Sequence, residues 1–95
     1  MPTAPIALTA ATGNTTLVSV AADRTFTIDE LVIISDAAGV LEVRSGSTPI
    51  VPDFGTIAGA QYTFAGLKSQ AAGDDIILNR TDSAAISGYV RYRVK

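Results

Sequence analysis

Histidine, cysteine and tryptophan are absent from this 95-residue chain. The first two absences remove imidazole acid–base chemistry, thiol nucleophiles, disulfides and the usual zinc sites. The third removes the strongest aromatic platform for a sugar ring. Charge of one sign is also scarce. Seven basic and nine acidic side chains give a net charge of −2 with no block of like charges, which is a poor electrostatic footprint for nucleic-acid binding. The longest run of large aliphatics is residues 31–34, far below the roughly 20 residues of a membrane helix, so no membrane partner is expected. Residues 1–13 contain two prolines and no basic side chain, unlike a secretory leader with its basic segment before about 7–15 apolar residues. The expectation is cytoplasmic synthesis without a signal peptide.

What is present is aliphatic. Of the 47% hydrophobic residues, 15 are alanine, leaving 23 Val, Ile and Leu, three Phe, three Tyr and one Met. The length allows one domain near the small end of what buries a self-sufficient core. A chain with so few large side chains gains from burying surface against copies of itself or a partner.

The order of signals along the chain is strands and turns. Residues 1–14, MPTAPIALTAATGN, read as an extended N-terminal arm, and residues 15–95 as one β-domain. The arm is either a frayed terminus or, since Ile6 and Leu8 are out of place in a purely solvated tail, a segment that docks on a neighbouring subunit. Strands are expected over residues 15–20, 24–35, 40–44, 50–57 with an interruption at Pro52-Asp53, 61–65, 75–80 and 86–94. Between them lie a hairpin-like loop at Asp36-Ala37-Ala38-Gly39, a break at residues 45–49, a loop over residues 66–74 and a turn over residues 81–85. The last strand alternates cleanly: Ile86, Gly88, Val90, Tyr92 and Val94 share one face, and Ser87, Tyr89, Arg91, Arg93 and Lys95 the other. In residues 24–35 the apolar positions switch parity between Ile28 and Leu31. Either a bulge at Asp29-Glu30 resets the register, or residues 31–34 are covered on both faces. No helical window of three turns survives. The fold class is therefore all-β, a small antiparallel β-sandwich or jelly roll of seven or eight strands.

Little in this sequence is equipped for chemistry. Asp29-Glu30 and Asp74-Asp75 are the carboxylate pairs a hydrolase would need, but acids at strand bends and starts commonly serve solubility. No calcium-loop, phosphate-loop or dinucleotide pattern occurs; a serine nucleophile has no histidine to activate it, and no S-x-x-K occurs. The chain is expected not to be an enzyme, with no catalytic, metal or cofactor site and no cofactor. Asn14 and Asn79 head N-x-[ST] triplets, a pattern too short to weigh without a leader peptide. Arg91, Arg93 and Lys95, with Arg80 as an outlying member, form a cationic strip for an acidic protein surface, or else charges that keep an exposed strand from aggregating. Tyr62, Tyr89 and Tyr92 are the residues a carbohydrate-binding module would use.

Four segments, LVIISDAAGVLEV (31–43), SGSTPI (45–50), AAGDDIIL (71–78) and ISGYVRYRV (86–94), resemble the small trimeric jelly-roll cement, or decoration, proteins on the outside of tailed-bacteriophage capsids. The resemblance spans about residues 15–95. It implies a homotrimer made in the host cytoplasm and carried on the outer capsid surface of the virion, with the major capsid protein as partner, stabilising the shell without chemistry. Ile6, Leu8, Arg91 and Arg93 are the candidate capsid or subunit contacts under this reading. The alternatives are a carbohydrate-binding β-sandwich and a phage tail or fibre component.

Overall fold

A computed structural model describes residues 3–95. Seven strands follow one another: β1 (Thr3–Val18), β2 (Phe26–Ser35), β3 (Gly39–Ser45), β4 (Thr48–Thr56), β5 (Gln61–Phe64), β6 (Leu67–Lys68) and β7 (Ile76–Val94). Among the described residues there is no helix. The chain is all-β and antiparallel, as its composition of β-branched runs and turn residues requires.

The organising strand is β7. Along one side, β1 runs antiparallel to it from Thr3↔Arg91 to Val18↔Ile76. Along the other side, β2 pairs with residues 86–94 and β3 with residues 76–80. Outside these, β4 pairs with β3, and β5 and β6 with β2. The sheet is thus a ribbon of four long lanes: β1, then β7, then β2 and β3, then β4 to β6. The last two lanes are interrupted at residues 36–38 and 57–60, and beside them β1 and β7 run on without a break but lose regular register around residues 9–12 and 81–85. At these corners the ribbon folds over, so that two half-sheets share one core, the arrangement in which strands change sheet through bulges and bends.

That core takes Phe26, Ile28, Leu31, Ile33, Ile86 and Val90 from one half and Val18, Leu41, Val43, Ile76 and Leu78 from the other, in a single cluster. An aromatic contact closes the ribbon. Phe54, opposite Leu41, meets Phe64 at 5.0 Å and Tyr62 at 5.9 Å, and these two lie opposite Leu31 and Ile33. The register of β2 shifts between Ile28 and Glu30. The bulge expected at Asp29-Glu30 is therefore present and returns Leu31 and Ile33 to the core face that Phe26 and Ile28 occupy. Val32, on the opposite face, is also only 6% exposed.

Three expectations are corrected. Residues 81–85 are not a turn, because β7 continues through them with β1 alongside at Ala11↔Ala84. The loop after Ser35 does not make a hairpin: β2 and β3 both pair with β7, so it is a corner between two consecutive strands of one lane. Pro52-Asp53 does not end β4, which runs through it on an outer edge where a missing N–H and a charge are tolerated, although the pairing with β3 shifts there, between Val43↔Val51 and Leu41↔Phe54.

Candidate docking surface

Beside the corner of the ribbon is an open groove of about 580 Å³. Its walls include Ala7 and Leu8 of β1, Ile34 at the end of β2, Gly59 in the β4–β5 connection, and Ala85 and Ile86 of β7. The strands bring these small and aliphatic residues together because the corners of the four lanes meet here. Asp36 is the one charged residue of the lining, and its Oδ1 accepts the N–H of Ala85 at 2.9 Å. The Ser35 hydroxyl is turned to its own loop, donating to the Ala37 carbonyl at 2.8 Å. Two residues from Gly59, Ile57 stands 70% exposed, the largest exposure of any large hydrophobic side chain among the described residues.

The sequence-derived contact residues separate. Ile6 is 4% exposed and belongs to the core of its own chain, opposite Gly88, so it offers no surface to a partner while β1 is paired. Leu8 is half-buried and lines the groove. Arg91 and Arg93 do lie on the outer face of β7, but not as free cations. Arg93 holds Asp29 through two hydrogen bonds of 2.9 and 3.1 Å, and Arg91 holds Glu30 at 2.9 Å. The Tyr89 hydroxyl donates to the same Glu30 oxygen at 2.6 Å. This hydrogen bond and the phenol's partial desolvation hold Tyr89 above the ordinary tyrosine value of 10.0. The bulge that resets β2 thus places two acids against the two arginines of the strip.

Arg80 is not part of the strip. It is 4% exposed, points to the core side with Ile76 and Leu78, and meets no carboxylate within salt-bridge distance. Its Nη1 donates to the carbonyls of Thr9 and Ala84 at 2.7 Å each, and Nη2 to the Thr15 hydroxyl at 3.1 Å. Parity would have found this: Ile76, Leu78 and Arg80 are alternate residues of one strand.

The carboxylate pairs serve the backbone or an ion pair. Asp75 accepts the N–H of Val20 at 2.7 Å, while Asp74 accepts the Ser45 hydroxyl at 2.8 Å and the N–H of Ala71 at 3.1 Å. The tyrosines do not assemble into a platform. Tyr62 belongs to the aromatic closure and its oxygen accepts the N–H of Ile57 at 2.8 Å, Tyr89 faces outward, and Tyr92 packs on the core. The groove is invisible in the sequence because its walls come from four separate segments.

Comparison with protein-family models, with curated proteins and with solved structures returns no match.

Proposed function

We propose that the protein is a capsid cement, or decoration, protein: a homotrimer that binds the outer surface of a tailed-phage shell and stabilises it by mass action, because it binds the assembled shell and not the free subunits. The observation that carries this reading is the contrast between the polar and apolar parts of the surface. The acids that pair in sequence are engaged within the chain, whereas the groove walled by Leu8, Ile34 and Ile86 and flanked by Ile57 is apolar and open. Such a surface suits burial against protein. The folded ribbon agrees with the jelly-roll architecture that the resemblance of residues 31–43 and 86–94 implies, and alanine-rich lanes with a thin core agree with a subunit that gains stability from its neighbours.

The experiment is co-sedimentation with genome-emptied capsids of the source phage, followed by heating of the decorated shells. Saturable binding to the assembled shell and a higher disruption temperature are the expected results. Absence of binding, or equal binding to unassembled capsid protein, sinks the proposal.

A further inference from the structure

The N-terminal half of β1 is attached differently from the rest of the sheet. Residues 3–8 pair with β7, yet no side-chain hydrogen bond or ion pair involves any of them. Ile6 is their one fully buried side chain, with Ala4 and Leu8 half-buried beside it. Residues 9–12 follow, Thr-Ala-Ala-Thr, all four exposed, with register shifts on either side and Gly13 at φ +94°. The other half of β1, residues 13–18, is anchored more firmly: Thr15 binds Arg80, Asn14 accepts from Asn79 at 2.8 Å, and Val18 enters the core. A hinge of small exposed residues therefore separates a lightly held arm from a fixed strand. The open groove lies directly beside this hinge, walled in part by Ala7, Leu8 and Ala85.

We infer that in the trimer residues 3–8 are exchanged between subunits, each arm leaving its own β7 at residues 9–12 and occupying the identical slot on the next subunit. Exchange preserves every contact of the arm, Ile6 in its pocket between strands included, because the accepting slot is built from the same sequence. Only the hinge changes conformation: the Arg80 hydrogen bond to the Thr9 carbonyl and the Ala11–Ala84 pairing are what it has to give up or remake, and its four side chains are exposed. The groove gives the crossing chain room at the corner. Three-fold symmetry closes the set, with no slot left empty. This inference rests on the trimeric reading above and adds to it the element that joins the subunits.

A cysteine-free chain makes the test clean. Ala7 and Ser87 are directly opposed across β1 and β7, as are Thr16 and Ile77, at the separations of roughly 4.5–5.5 Å of antiparallel pairs, within disulfide range. The double variants Ala7→Cys/Ser87→Cys and Thr16→Cys/Ile77→Cys are oxidised until no thiol remains, and mass is measured natively and after denaturation without reductant. Exchange predicts native trimers for both, a denatured mass of three chains for the Ala7/Ser87 pair, and of one chain for the Thr16/Ile77 pair. Native trimers with one-chain denatured masses for both pairs overturn the exchange and leave the trimer standing. One-chain native masses overturn both, and covalent dimers from native dimers overturn the three-fold closure. If the first pair fails to fold, Thr3→Cys/Arg91→Cys, opposed at the far end of the arm, gives the same reading.

Discussion

The Nη1 atom of Arg80 lies 2.7 Å from the carbonyl oxygen of Thr9, and the same atom reaches the Ala84 carbonyl, so one buried guanidinium ties the corner of β1 to the corner of β7. These are the two places where the neighbouring lanes lose regular register. A planar fork with several donors suits a site where bent backbones leave carbonyls without ladder partners.

Replacing Arg80 with Met is expected to lower unfolding free energy by about 2 kcal/mol, because the buried Ala84 carbonyl loses its partner while the exposed Thr9 turns to water. Arg80→Lys does not restore it, since a single ammonium cannot span Thr9, Ala84 and Thr15. Urea denaturation of the two variants checks this; a Lys variant as stable as the parent would refute the bracing role.

Of the glycines, Gly88 has the least room for a side chain. It sits between Ile6 and Ile33 with φ +133°, and a β-carbon there would overlap the carbonyl of Val32. Gly88→Ala is expected to cost about 3 kcal/mol or more through backbone strain and overlap. Gly55→Ala, where the nearest atom is 4.0 Å from the added carbon, should change stability by less than about 1 kcal/mol. Equal midpoints in a denaturant series would contradict the close approach.

The aromatic closure is tested by Phe54→Ala. Phe54 is half-buried and touches both Tyr62 and Phe64 across the fold, so the loss should be about 2 kcal/mol, below the 3–5 of a fully buried ring. Phe54→Leu should recover part of it. Thermal unfolding followed by near-ultraviolet dichroism reports both.

Tyr89 gives a pH signature. Its hydroxyl donates to Glu30, so the neutral phenol is favoured in the folded chain and its pKa lies above the ordinary 10.0. The stabilisation is complete below pH 10 and is lost as pH rises through the higher folded value. Phenolate absorbance, read as the difference between the parent and Tyr89→Phe, should show Tyr89 ionising late. Glu30→Gln should bring it back toward the ordinary value; an unchanged titration would remove Glu30 as the cause.

The sequence was most legible where large and polar residues alternate. Residues 86–94 showed their two faces directly, and the parity switch between Ile28 and Leu31 marked the bulge at Asp29-Glu30. It was least legible in β1, where Ala4, Ile6 and Leu8 face inward and Thr3, Pro5 and Ala7 outward: alanine on both faces flattens the contrast that periodicity depends on. Residues 81–85, Thr-Asp-Ser-Ala-Ala, carry turn composition yet continue β7, because β1 alongside them holds the bend. The groove depends on four segments meeting at one corner, a relationship that no local pattern encodes.

A chain that works as an assembled subunit is trimeric in solution, and sedimentation equilibrium measures this most directly. At micromolar concentration and physiological salt, the protein should sediment as a single species of three times its 9.8 kDa chain mass. A single species of 9.8 kDa under the same conditions would contradict it.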